Sequence, residues 1–355
     1  MRLFWVKWRR LLAVLVTSFS LFALGGCAPD YLPQSILTPS SPAAQEVADL
    51  FYIVFWVAAI IFVGVEGALV FFVIRYQRRA QDEHPEQYHG NARLEVTWTI
   101  IPALILAVVF ALTIRTMGTT GPTNPPAEGI PIKVQGHQWW WEIEYDGGKV
   151  LTANEFHMPT GQVMNIALAS EDVIHSFWVP KLMGKTDTVP GHENKTWLLT
   201  NQPGIYEAQC AEFCGTQHAN MLFRVIVQTP EDFQEWLRGQ QAPAVEPAAG
   251  SLAARGKEVL VDPKFKCVGC HAIQGTKALG ETGPNLTHFA TRGCFAGCMF
   301  ANNHDNLTRW LTNSQAMKPG NLMAKGLIDL RPKTPDNPLT AEEVTALTAY
   351  LESLR

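Results

Sequence analysis

Two apolar stretches, about Leu50 to Ile74 and about Thr97 to Met117, constrain this chain more than any other feature. Each reaches the roughly 20 residues that carry a helix across a bilayer. A single soluble domain is thereby excluded, although 47% hydrophobic and 17% charged residues over 355 positions look ordinary. The pair, residues 50–117 with its loop, reads as a transmembrane helical hairpin. The loop carries Arg75, Arg78, Arg79 and Arg93 while the flanks carry almost no bases. The positive-inside rule therefore puts the loop in the cytoplasm and everything after Met117 outside. Glu66 lies within the first span, and an ionised carboxylate there is expected to face protein, not lipid. Glu95, just before the second span, either marks the interface or serves a proton path.

Upstream, Leu11 to Leu24 follows four bases (Arg2, Lys7, Arg9, Arg10) and no acid, and runs into Gly25-Gly26-Cys27. This run is too short to span and resembles a bacterial lipoprotein signal, 1–26, with Cys27 as the lipidated first residue of the mature chain; a short anchor helix is the alternative. Residues 27–49 then form an exported segment. Without the leader the formal charge of -4 becomes -8, from 24 bases against 32 acids, which argues against a nucleic-acid partner.

After a Gly- and Pro-rich linker, short apolar runs alternate with turn signals: Ile132 to Gln135, Trp139 to Tyr145, Val163 to Ala169, Ile174 to Val179, Lys195 to Thr200 and Leu222 to Val227. That spacing predicts a β-sandwich within 118–239. A second linker, 240–250, leads to 251–355, which reads as all-α. Thr340 and Glu343 predict a capping box on the last helix.

Of seven cysteines, Cys27 is assigned to lipid, which leaves three pairs. Each would be a disulfide by default in an exported compartment. Around Cys210 and Cys214 the setting argues otherwise, because His218 and Met221 complete two thiols, an imidazole and a thioether within twelve residues. Soft sulfur donors with imidazole suit an electron-transfer copper site. Two thiolates can bridge two copper ions, and His175, 35 residues before Cys210, is the candidate second imidazole. His137, His157 and His192 read as surface histidines. The second pair, in Cys267-Val-Gly-Cys270-His271, reads as covalent haem c attachment with His271 as axial ligand; a redox disulfide is the alternative.

From about Leu50 to about Val227 the chain resembles cytochrome c oxidase subunit II, the subunit with the dinuclear copper (CuA) domain. The resemblance rests on the hairpin, on Gly136-His137-Gln138-Trp139-Trp140-Trp141, on Lys185 to Gly191 and on the copper loop. Trp140 departs from it, standing where mitochondrial members commonly carry tyrosine. The resemblance implies a Greek-key, cupredoxin-like fold. It implies that Cys210 and Cys214 bridge the metals, His175 and His218 cap them, and Met221 and the Glu212 carbonyl are weak axial ligands. It further implies that the Glu212 side chain faces a magnesium site shared with subunit I, that Trp139 receives electrons, and that Glu95 lies at a proton-channel mouth.

Residues from about Gly250 to Arg355 are similar to class I cytochrome c, including Gly283-Pro284-Asn285-Leu286, whose proline carbonyl in that family accepts a hydrogen bond from the axial histidine. Met299, Met317 and Met323 are candidate distal ligands. The run Lys318 to Met323 resembles the distal-ligand loop of fused oxidase cytochromes, which favours Met323, with Met317 second. The third pair, Cys294 and Cys298, reads as a local disulfide or, with the more distant His304, a further metal site.

These resemblances imply the electron-input subunit of a haem-copper oxygen reductase in a bacterial cytoplasmic membrane. An outside donor, a cytochrome c or a cytochrome bc-type complex, would reduce haem c; electrons would pass to CuA and then to subunit I, with subunit III alongside. Oxygen reduction and proton translocation belong to subunit I. The alternatives are a CuA subunit of a nitric oxide reductase and a copper-handling lipoprotein; the haem motif counts against the latter.

Overall fold

A computed structural model describes residues 32–77, 87, 89–323 and 339–355. Cys27, the leader, Arg78 and Arg79 lie outside the described residues.

The two apolar runs form helices α1 (Pro42–Arg75) and α2 (Ala92–Thr120) that pack on each other. At 34 residues α1 rises about 51 Å, well beyond the roughly 30 Å of hydrocarbon. The sequence reading starts this span at Leu50; the helix begins eight residues earlier. Its opening turns, Pro42 to Asp49, are too polar to register as membrane and instead pack on protein, with Ala43, Ala44 and Ala48 buried. Ser41 caps α1 by accepting from Ala44 N at 3.0 Å and donates to the Leu182 carbonyl. Trp197 Nε1 donates to Gly121 O at the end of α2, 2.9 Å, so both helices are tied to the domain above them.

That domain is a sandwich of two five-stranded sheets. One has the order β3-β2-β1-β5-β8, from Val150–Ala153, Trp140–Tyr145, Ile130–His137, Met164–Ser170 and Asn194–Leu198. The other has the order β4-β10-β9-β6-β7, from Glu155–Pro159, Leu222–Gln228, Gly204–Cys210, His175–Trp178 and Thr186–Thr188. Inward-facing Trp141, Phe156, Phe177 and Phe223 fill the space between them, with ring centroids 4.7–6.3 Å apart for the contacting pairs. The sandwich agrees with expectation, and four strands (β3, β4, β7, β9) are additional to those read from the sequence. Trp139, read as the start of a strand, lies instead in the tight turn between β1 and β2, because His137 pairs with Trp140.

Two histidines taken for surface residues are buried. His137 stacks on Trp140 at 4.3 Å, and His157 stacks on Trp236 at 4.0 Å with Nδ1 2.9 Å from Gln228 Oε1. Trp236 comes from α3 (Pro230–Gln240), a helix that sequence reading missed. His192 is exposed.

The C-terminal region is helical, with α4 (Leu252–Val261), α5 (His304–Met317) and α6 (Ala341–Ser353). Helix α4 packs on α6. The capping box is present: Thr340 Oγ1 accepts from Glu343 N, and the Glu343 carboxylate accepts from Thr340 N. The stretch read as a linker is pinned down, since Ala244 N donates to Gln274 O at 3.2 Å and His288 Nε2 lies 2.9 Å from Ala242 O.

Candidate metal and haem centres

Strands β6 and β9 are antiparallel neighbours with Phe177 opposite Cys210, which brings His175 beside the end of β9. The chain then leaves the sheet at Cys210 and returns at Met221, and Cys210 N donates to Met221 O at 2.9 Å to close the loop. Sheet register thus converts ligands distant in sequence into neighbours.

The sulfur of Cys210 lies 3.8 Å from that of Cys214, 4.0 Å from His175 Nδ1 and 3.2 Å from Glu212 O. Cys214 Sγ lies 3.6 Å from His218 Nδ1 and 3.8 Å from Met221 Sδ. All six predicted ligand groups therefore converge. Metal bonds to thiolate and imidazole run at about 2.0–2.3 Å, so donors at these separations can share a small cation without moving far. The donor set of two thiols, two imidazoles, a thioether and a carbonyl fits copper better than harder ions. Cys210 and Cys214 are free of any disulfide and buried.

An outer layer holds these ligands in place. Asp172 Oδ1 lies 2.8 Å from His175 Nε2, which turns Nδ1 toward the sulfurs. The same carboxylate accepts from Gln138 N and Val173 N, both at 2.6 Å. Burial raises the Asp172 carboxyl, but these hydrogen bonds outweigh it and hold it below its ordinary value. Burial likewise lowers His175, and the bonds to Asp172 and Cys210 overcome that and raise it. Hydrogen bonding to Cys214, helped by His175, lowers the Cys210 thiol, while the Cys210 thiolate raises Cys214. Gly136 packs against this imidazole: a Cβ there would meet His175 Cδ2 at 2.7 Å. Asp172 was missed in the sequence, where its position three residues before His175 was the available signal.

Glu212 presents its carboxylate 3.6 Å from Lys185 Nζ. Glu95 lies in the first turn of α2, where its Oε1 accepts from Asn91 N at 3.2 Å. Glu66 is exposed on α1.

In the helical region a cavity of about 400 Å³ is lined by Cys267, Cys270, His271 and Met323, with a largely apolar wall. Met299 and Met317 do not line it. Both cysteines are free thiols. His271 Nδ1 lies 2.8 Å from Pro284 O, which leaves Nε2 as the ring's metal-binding nitrogen. Burial, helped by the nearby Arg292 charge, lowers the His271 pKa against the opposing Pro284 carbonyl, a direction that favours the neutral ring a ligand needs. Arg292 also lines the cavity and brings positive charge to the wall, a match for the carboxylates a haem carries. Cys294 and Cys298 are joined in a disulfide.

The same cavity reaches the copper region, because Trp139 belongs to its wall and donates Nε1–H to Cys214 O at 3.0 Å.

Residues 32–115 match the transmembrane domain of cytochrome c oxidase subunit II, residues 149–229 its periplasmic domain, and residues 253–355 cytochrome c. These matches imply CuA copper in the sandwich and haem in the helical region. The chain is 35% identical to cytochrome c oxidase subunit 2 of Alkalihalophilus pseudofirmus over 98% of both chains. It is 33% identical to the same subunit of Bacillus sp. strain PS3, over 95% of this chain and 97% of the relative. For Bacillus subtilis the figures are 31% and 94% of each. Because the likeness runs unbroken from the membrane hairpin through the haem motif, the chain belongs to the cytochrome c oxidase subunit II family, in a form that carries its own cytochrome c domain.

Proposed function

We propose that this electron-input subunit receives electrons at its haem domain and hands them through its copper domain to subunit I. One observation carries the reading: Trp139 forms part of the wall of the cavity that Cys267, Cys270 and His271 line, and is hydrogen-bonded to the backbone of copper-loop residue Cys214. When bound, the haem and the copper pair supply one-electron carriage.

Cys267 and Cys270 would hold the haem covalently, with His271 and Met323 as its axial ligands. Cys210 and Cys214 would bridge the coppers, with His175, His218, Met221 and the Glu212 carbonyl completing their shells. Asp172 keeps the His175 ring oriented, and Pro284 does the same for His271. Trp139 would be the conduit between the centres. The Glu212 carboxylate is the candidate for magnesium at the subunit I boundary, and Glu95 for the lip of a proton channel.

The arginine-bearing loop would be cytoplasmic, with both soluble domains on the outer face and a lipid on Cys27 as a third anchor. An external cytochrome c or bc-type complex would be the donor, and subunit III a neighbour.

Metal and haem analysis of the purified complex, with its paramagnetic resonance spectrum, tests the core of this reading. The expected result is two electronically coupled coppers and one covalent haem c per chain, with coupling lost in Cys210→Ser. A single uncoupled copper, or a haem extractable without breaking thioethers, overturns it.

A further inference from the structure

Cys294 and Cys298 belong to neither metal motif, yet their disulfide sits where the two soluble domains meet. It closes a small hairpin, β11 (Cys294–Phe295) and β12 (Phe300–Ala301). Beside it, Gly293 N donates to the buried Glu155 carboxylate of the copper domain at 2.9 Å, and Cys298 Sγ lies 3.3 Å from Asn154 O. At the tip, Gly297 O accepts from Leu222 N at 3.0 Å. Gly297 has φ +73°, and a Cβ there would come within 2.7 Å of Asn220 O and 3.1 Å of Trp139 O. Backbone meets backbone at this point, which a side chain would prevent.

Lys318 completes the grip from the other arm of the haem domain. Only 3% exposed, it donates from Nζ to Trp139 O (3.1 Å), Asn220 O (3.0 Å) and Ala296 O (2.8 Å). Next to it, Pro319 O accepts from Gln217 Nε2 at 2.6 Å. The haem domain therefore holds both residues that flank Met221, the residue before His218, and the carbonyl of Trp139. A buried ammonium needs such partners, because one left unpaired away from water is costly.

We infer that the Cys294–Cys298 loop and Lys318 form a latch that seats the haem domain on the copper loop and positions Met221 and Trp139. The consequence at Met221 rests on the ligand roles proposed above; the latch itself does not. Seated this way, the haem domain leaves Trp139 only 9% exposed, so a soluble donor meets the haem domain and not Trp139.

The test uses the assembled oxidase carrying Lys318→Met, Gly297→Val or the double change Cys294→Ser/Cys298→Ser. Hydrogen exchange at the Leu222 amide reads the latch, and the copper spectrum with flash-initiated haem-to-copper transfer reads positioning. In Lys318→Met and Gly297→Val the Leu222 amide should exchange at least about tenfold faster. Transfer should slow by a similar factor, and copper and haem contents should stay at wild-type levels. Should the double variant fail to assemble, the other two decide. Wild-type protection and transfer in both would overturn the latch, and lost protection with an unchanged copper spectrum and transfer rate would overturn its positioning role. Wild-type complex without copper at Cys210 and Cys214 would instead sink the ligand reading, while the exchange measurement, which needs no metal, still judges the latch.

Discussion

The copper loop and the haem cavity solve the same problem, holding a redox centre rigidly, by opposite means. At the copper loop, the candidate ligands come from two paired strands and one loop, and a hydrogen-bonded layer centred on Asp172 orients His175. The haem region supplies a largely apolar cavity whose wall includes residues of the other domain and two free cysteines placed as candidates for covalent attachment. Geometry in the first case is set by polar contacts, and in the second by packing, to which bonds from Cys267 and Cys270 to a haem would add. Substitutions in the two regions should fail differently.

The largest effect is expected at the haem. Met323→His should keep the thioether attachment but abolish the sulfur-to-iron charge-transfer band. It should also lower the potential by a sizeable part of the roughly 0.8 V that axial ligands span. Turnover with an external donor should fall while transfer from pre-reduced haem to copper persists. Met317→His is the control, because Met317 does not line the cavity, and it should keep both band and potential.

Next comes the stability of the copper domain in acid. Burial pushes His157 down to about 4, with Gln228 opposing, whereas an unfolded histidine titrates near 6.5. The unfolded chain therefore takes up this proton first. Stability present above about pH 6.5 should drain away as pH falls to about 4, by about 3 kcal/mol in all. Calorimetry of His157→Phe, which can keep the stack on Trp236, should show that part of the pH dependence gone.

Asp172→Asn attacks the polar layer alone. It should weaken copper binding by about tenfold to a hundredfold, the usual cost of losing an outer partner of a metal-bound histidine, with haem content untouched. Competition with a copper chelator measures it. The smallest effect is expected at the join between the regions: Trp139→Phe removes the Nε1–H bond to Cys214 O and should slow haem-to-copper transfer about tenfold, equivalent to ~1.4 kcal/mol of barrier. Both centres should remain spectroscopically intact.

Much of the site was legible because its information is local. Cys210, Cys214, His218 and Met221 lie within twelve residues, so soft-donor chemistry could be read directly, as could Cys267-Val-Gly-Cys270-His271. Helix α3 was also legible, with Thr229 as cap, Pro230 at its start and two acids in its first turn, but went unread. His157 was not legible: its burial depends on Trp236, 79 positions away, and nothing nearby distinguishes it from a surface histidine.

The sequence by itself determined that two helices are long and apolar enough to span a membrane, that a β-sandwich and then a helical domain follow them, and which side chains are candidates to serve copper and haem. Apolar length, alternation and ligand spacing are properties of short stretches, and the physics of burial and coordination acts on them directly. Only the tertiary structure decided that Asp172 orients His175, that Met323 and not Met317 faces the cavity, and that the third cysteine pair lies against the copper domain. Those outcomes depend on backbone atoms far apart in the chain, as when Lys318 meets the carbonyl of Trp139 across 179 residues. Such contacts exist only after both domains have packed, and no local pattern of residue types encodes them.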